Sequence, residues 1–341
     1  MAFKTLALKF ANFLGETGVY HALFPRCIPV FMLHRFTESA KDAPGTLSAD
    51  LLRRYLQYLA SHGYQVLTMD DLGNILLRGD PVPPRAVMFT VDDGFYDHHD
   101  VVAKVFDEFG FPLNFFVITG FLDGKLWPWD DQVVYALNQI TKAKLEISLP
   151  SGRSFPIDLK EFTLRDVIRE FRKELKRDDQ ALIYEWIKNE LFPALDVEFP
   201  PGIPDPYRPM TWSDAQSLRH RGHGVYPHTC THRILSVLPE SERRFEILES
   251  QKRAKTELDY FPDVFAYPTG RLSDYDVCDV MVLKQAGFRM AFNTVAGYVK
   301  AGAMQDVYSI PRFSLPEKFG DFQQIVNRFE AVKESLKREQ T

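Results

Sequence analysis

Short, nearly continuous apolar runs recur along the chain: IPVFML at 28 to 33, YQVLT at 64 to 68, AVMFTV at 86 to 91, LNFFVIT at 113 to 119, VFAYP at 264 to 268 and FRMAFN at 288 to 293. A half-exposed strand alternates apolar and polar side chains; most of these runs do not, so they predict strands covered on both faces. Between them, apolar positions three and four apart predict amphipathic helices over 48 to 61, 98 to 110, 239 to 259 and 276 to 286, several ending at a glycine such as Gly63, Gly110 or Gly287. Strand and helix in alternation predict an α/β protein on a parallel sheet, closed as a barrel or left open. The rhythm fails from about 125 to 210, where helical patterns and the run FPPGIPDPYRP replace most strand signals, so this stretch predicts a largely helical insertion. Residues 1 to 27 predict a helical segment of their own, 28 to 341 the barrel domain, and 319 to about 337 a closing helix.

Length and composition narrow the function classes. A chain of 341 residues can bury a large core as one elaborated domain. With 41 Lys and Arg against 46 Asp and Glu the formal charge is -5, which argues against a nucleic-acid partner. The basic residues between Arg165 and Arg177 alternate with Asp166, Glu170 and Glu174, the mark of a solvated helix face. Cys27, Cys230 and Cys278 are odd in number and unpaired in spacing, which suits a reducing compartment. Lys4, Lys9, Asn12 and Glu16 interrupt the first apolar stretch, so neither a signal peptide nor a transmembrane segment is expected. The expectation is a cytoplasmic protein whose first helix packs on the surface or rests on a membrane or partner; a homo-oligomer is left open.

In parallel α/β folds the chemistry gathers at the carboxyl ends of the strands, and three polar positions sit there: His34, the pair Asp92 and Asp93, and Thr269. Asp-Asp-Gly at 92 to 94 is also an ordinary turn sequence. His228 and His232, four residues apart, can face the same way on one helical turn, as two ligands of one metal must, although nine histidines make such a pair unsurprising. Cys230 between them would point away and reads as a small buried residue.

The segments Thr90-Val-Asp-Asp-Gly94, Gly222-His-Gly-Val-Tyr-Pro-His-Thr-Cys-Thr-His232 and Phe265-Ala-Tyr-Pro-Thr-Gly270, in that order, resemble the three motifs of the polysaccharide deacetylases, the NodB-homology carbohydrate esterases. The resemblance covers roughly 28 to 120 and 211 to 315 and implies a distorted parallel (β/α) barrel of the NodB-homology type. It implies a metal-dependent hydrolase that removes N-acetyl groups from a carbohydrate: a polysaccharide, an oligosaccharide or a glycolipid precursor. Asp92 would be the general base and Asp93, His228 and His232 the metal ligands, while Tyr267, Pro268 and Thr269 would lie at the substrate, the Thr269 N–H facing the oxyanion. Two imidazoles and a carboxylate suit zinc first, with nickel, cobalt or iron as alternatives.

Two departures from the family pattern stand out. Ala266 occupies the place of an arginine that tethers the catalytic Asp in many relatives, and Arg312, in Ile310-Pro-Arg-Phe313, is the candidate substitute or else a surface residue after a strand. No histidine follows His232, so the late Leu-x-His that supplies the general acid in many relatives is missing, and His34 at the end of the first strand is the candidate acid. His98 and His99 read as surface or supporting residues and His223 as structural. Trp127, Trp129, Tyr207 and Trp212 could form a sugar-stacking wall or belong to the core. Hydrolysis of another small amide, of formamide or ureide type, and a non-catalytic carbohydrate-binding role are the alternatives.

Overall fold

The computed structural model describes residues 26–38, 46–301, 305–329 and 331. Nearly all of the segment expected over 1 to 27, and the closing helix beyond 331, lie outside them. The described strands are β1 (Cys27–Leu33), β2 (Phe36–Thr37), β3 (Leu47–Ser48), β4 (Gln65–Val66), β5 (Ala86–Asp93), β6 (Asn114–Val117) and β7 (Lys144–Ser148). After them come β8 (Ser154–Asp158), β9 (Gly224–Pro227), β10 (Val264–Ala266), β11 (Met290–Phe292), β12 (Tyr298–Lys300) and β13 (Phe313–Ser314).

β5 is the centre of the sheet and pairs in parallel with β1, β4 and β6. β6 continues in parallel to β9, and β1 takes β13 in parallel and β12 antiparallel. β10 and β11 form a separate parallel pair, with a further bridge from Phe292 to Ile310, three residues before β13. Among the described residues no ladder joins β9 to β10, so the α/β barrel is distorted and open at that seam.

β1 and β5 are buried along their whole length, as their unbroken apolar sequences predict. Alternation along a strand then sorts their side chains. Phe31, Leu33, Val87, Phe89 and Val91 face the surrounding helices. Ile28, Val30, Ala86 and Met88 face the side shared with Val264, Ala266, Met290 and Phe292 of β10 and β11. The even-numbered face of β5 ends in Thr90 and Asp92, so the same period that fills the core delivers a carboxylate to the barrel interior.

The helices expected over 48 to 61, 239 to 259 and 276 to 286 are found at Ala49–Ser61, Glu240–Leu258 and Val277–Gln285. The one expected over 98 to 110 opens with a π-helical turn, His98–Val102, and continues as Ala103–Asp107. β9 was not among the apolar runs, because a short Gly-Val-Tyr-Pro segment lacks both length and an unbroken apolar sequence. Gly224 is there for space: a Cβ would come within 2.6 Å of the Tyr226 ring and 2.9 Å of Asn114 Oδ1. The stretch from 125 to 210 holds the helices Trp129–Leu137 and Leu164–Leu175, but also the β7–β8 hairpin, which the pattern missed because only Ile147 and Ile157 turn inward on it. Its core of Trp129, Val133, Phe171, Ile187 and Leu191 includes Ile234, next to the loop that carries both histidines of the candidate site.

Candidate metal and catalytic site

β5 runs two residues beyond its apolar sequence, so Asp92 and Asp93 stay in register with Phe116 and Val117 of β6. Asp92 is buried in the ring and meets Arg312, which enters between the Ile310 bridge and β13 and is fully buried. Arg312 Nη1 donates to Asp92 Oδ1 at 2.7 Å and to Thr90 Oγ1 at 3.0 Å, and Nε donates to Asn293 O at 2.8 Å. Its guanidinium carbon also lies 5.6 Å and 5.9 Å from the ring centres of Phe116 and Phe292. Burial pushes the Asp92 carboxyl up, but the charge of Arg312, then those of His228 and His34, and the Arg312 hydrogen bond outweigh it, and the carboxyl falls to about 2. Asp92 is therefore a carboxylate at neutral pH.

Asp93 turns the other way from the strand end, with φ 90°. Its Oδ1 is buried without a hydrogen-bond partner, 3.8 Å from His228 Nε2 and 3.5 Å from His232 Nε2. One ligand atom from each of the three residues lies within 4.8 Å of the others. A carboxylate oxygen with no donor, flanked by two imidazole nitrogens in a buried site, fits a divalent cation. His228 Nδ1 lies 2.7 Å from Ala266 O, an acceptor, so Nδ1 carries the proton and Nε2 keeps its lone pair. This bond also spans the seam between β9 and β10. Burial pulls the ring down to about 4 despite the carboxylates of Asp92 and Asp93, so it is neutral at pH 7.

The two histidines are not on a helical turn. They sit in a loop after β9, with φ 66° at Thr229 and 58° at His232, and two left-handed residues bring the rings to 5.1 Å between centres. Such backbone persists where the surroundings fix it, and here every side contributes. The buried Glu246 carboxylate of helix Glu240–Leu258 accepts from Cys230 N at 2.8 Å and Thr231 N at 2.9 Å. Tyr184 donates to Thr231 O at 2.7 Å and Trp129 Nε1 to His232 O at 3.0 Å, both from the 125 to 210 segment. Gly120 N donates to Cys230 O and Thr229 Oγ1 accepts from His232 N. Cys230 is buried among these contacts and takes no place beside the ligand atoms.

Glu246, Tyr184 and the acid pair after Trp129 escaped the sequence reading. Asp130 Oδ1 lies 3.7 Å from His232 Nδ1 and is itself held by Arg172 Nη2. Beside it, burial and the negative charges of Asp130 and Asp93 push Asp131 up to about 8. At 3.7 Å Asp130 acts on the His232 imidazole through its charge and not through a hydrogen bond, so Asp130→Asn is expected to weaken metal affinity severalfold, at most about 10-fold, the low end for a carboxylate behind a ligand imidazole. Competition with a chromophoric chelator measures this, and an unchanged affinity would remove Asp130 from the site.

The turn after β10 places Pro268 and Thr269 at the strand end. Thr269 has φ 54° and its hydroxyl bonds Asp274, while Asp274 also accepts from Arg271 N at 2.9 Å. Gly270 follows at φ 60°, where a Cβ would lie 2.9 Å from Thr294 Cγ2 and 3.0 Å from Thr294 N. Among the described residues the Thr269 backbone N–H makes no hydrogen bond. Tyr267, the residue expected at the substrate, has its side chain fully buried and turned away, stacked 3.7 Å from Tyr275, with its hydroxyl donating to Tyr308 O at 3.0 Å. Alternation after Ala266 turns it away from the site and into a second core. Trp129 and Trp212 are interior rather than parts of a stacking wall, with Trp212 Nε1 donating to Asp123 Oδ1 at 2.8 Å, while Trp127 is nearly fully buried and Tyr207 half-buried against it.

His34 is exposed at the end of β1, and its charge acts on Asp92. Its carbonyl is held by Nε2 of the wholly buried His98, at 2.5 Å. His99 is half-buried at the surface, and His223 accepts from Leu113 N through Nδ1 at 3.1 Å and lies 3.1 Å from Asp107. Burial pulls the His98 ring down to about 3, against the bond to His34 O. Since the unfolded chain takes up this proton near the ordinary value of 6.5, stability falls as pH drops from there toward 3. Urea unfolding is expected to show a loss on the order of 4 kcal/mol over that window, largely removed in His98→Asn; equal pH dependence of both chains would contradict it.

A family model described as polysaccharide deacetylase matches residues 162–291, which hold both histidines and Thr269. No curated protein matches the chain. Among solved structures, the Streptococcus pyogenes deacetylase PplD in complex with acetate is 16% identical, with a TM-score of 0.58 over 89% of this chain and 99% of that one. IcaB from Ammonifex degensii is 15% identical, with a TM-score of 0.57 over 89% and 97%. A de-N-acetylase from Aggregatibacter actinomycetemcomitans is 13% identical, with a TM-score of 0.56 over 88% and 99%. At these identities the likeness is one of fold.

Proposed function

We propose that this chain, which a polysaccharide deacetylase family model matches over residues 162–291, is a member of that family and a metal-dependent hydrolase removing N-acetyl groups from a carbohydrate. The observation that carries the reading is the meeting of three ligand atoms on one buried point beside a carboxylate kept ionised by Arg312. A divalent ion held by Asp93, His228 and His232, zinc by preference, would supply Lewis acidity toward the amide carbonyl and the attacking water.

The protein's own groups do the rest. Asp92, fixed by Arg312, takes a proton from the water as it adds to the acetyl carbon. The free Thr269 N–H donates to the carbonyl oxygen as it gains charge. His34 gives the leaving nitrogen its proton as the carbon–nitrogen bond breaks, releasing acetate and an amine. The similar structures of a deacetylase and a de-N-acetylase support the same chemistry here. We place the protein in the cytoplasm, a location that the odd number of cysteines and their lack of close spacing favour; subcellular fractionation with a tagged chain tests it. No described helix is long and apolar enough to cross a membrane.

The test is acetate release from a panel of N-acetylated oligosaccharides and glycolipid headgroups, run beside formamides and cyclic ureides. Release from the sugars alone is the expected result. Turnover of the small amides alone would replace this reading with the second, and metal and sugar binding without any release would make the protein a binding relative.

A further inference from the structure

The segment from 125 to 210 lines an open cavity of about 670 Å³ whose wall includes none of the metal-site residues. Its wall includes Trp127, Gln132, Tyr184, Asn189, Phe199 and Pro201, and its size suits a sugar unit or two. Gln132 is only 3% exposed, and its Nε2 donates to Trp127 O at 2.8 Å. Because that carbonyl can only accept, the amide cannot turn over, and Gln132 Oε1 is left buried with no partner. A buried acceptor without a donor is costly, and since Gln132 lines the cavity, a hydroxyl that reaches Oε1 from there would satisfy it. The apolar wall of Phe199 and Pro201 offers a surface for the C–H face of a pyranose.

Charge at the rim does not select an anion. Lys125 is paired with Asp123 at 2.9 Å, Lys188 lies 5.7 Å from the Phe199 ring centre, and Glu185 adds a negative charge beside it. The cavity shares its back wall with the catalytic loop: Tyr184 lines it and donates to Thr231 O, and Gln132 lies on the helix whose Trp129 holds His232 O. We propose that this cavity is a subsite for a neutral glycosyl unit of the substrate, distant from the acetyl group that is cleaved. The proposal rests on the carbohydrate reading above and makes the protein selective for chains over single sugars.

The experiment is calorimetric binding of N-acetylglucosamine and of its β-1,4- and β-1,6-linked pentamers to the full chain carrying Asp92→Asn, or Asp92→Asn with Arg312→Met should the single variant be unstable. One pentamer is expected to bind at least tenfold more tightly than the monomer. Phe199→Ala at the rim and Gln132→Met at the back are each expected to erase that advantage, with melting temperature checking their folding. No advantage for either pentamer, or an advantage that survives both substitutions, overturns the proposal. So does dodecanoate occupying the cavity while no pentamer binds, which would make it an acyl site. Acetate release is read separately on the unsubstituted chain. Pentamer binding lost in the cavity variants without acetate release keeps the subsite and refutes the deacetylase reading, while release with no pentamer advantage does the reverse.

Discussion

Replacing Asp92 by asparagine is expected to lower turnover about 10³-fold, within the range general bases supply, while the protein still takes up its metal. Asparagine keeps the shape and the hydrogen bond from Arg312 but cannot accept the water's proton. Steady-state acetate release and metal analysis on the same sample measure both halves. Turnover within a few fold of the original would mean that another group removes the proton.

The substitution has a second consequence, because Arg312 would be left charged and unpaired in the barrel interior. Arg312→Met does the converse and leaves Asp92 as the unpaired ion. Breaking a buried pair from either side costs about 3–5 kcal/mol, since the remaining charge keeps its desolvation cost without its partner. Both single variants should lose that much in urea unfolding. The double variant should recover most of it, because methionine and a neutral amide leave no buried charge, so the two changes will not add. Turnover behaves differently: the double variant stays as slow as Asp92→Asn. Additive stabilities would show that the 2.7 Å pair carries little energy; recovery of turnover would show that Asp92 is not the base.

How much of this could be read beforehand follows from which interactions are local. The strands β1, β5, β6, β10 and β11 and the three long helices were legible because side-chain period and end residues are local properties. Asp92 and Asp93 were legible as polar residues at the end of a buried run, and the histidine pair by spacing, although the spacing suggested a helical turn and the chain uses two left-handed residues instead. Arg312 could be named but not placed, because its contact with Asp92 spans 220 positions.

Glu246 was overlooked for want of a tertiary frame. It falls on the buried stripe of its helix with Ile247, Ser250, Gln251 and Ala254, and a carboxylate on that stripe was the available signal. Asp130 had a weaker one, an acid pair directly after a buried tryptophan, in a stretch that reads as an appendage until its contacts with the histidine loop are seen. Tyr267 shows another limit: its motif position sets the residue near the substrate, but only strand alternation after the inward Ala266 shows that its ring goes outward to stack on Tyr275.

If Asp93, His228 and His232 hold one divalent ion on which acetate release depends, stripping the protein with chelator and titrating zinc back should move metal content and acetate release together. Release is expected to vanish on stripping, return in step with uptake and saturate at about one ion per chain, and Asp93→Ala is expected neither to retain the ion nor to recover. Release that survives stripping, or an Asp93→Ala protein that binds zinc and turns over like the original, would contradict this assignment.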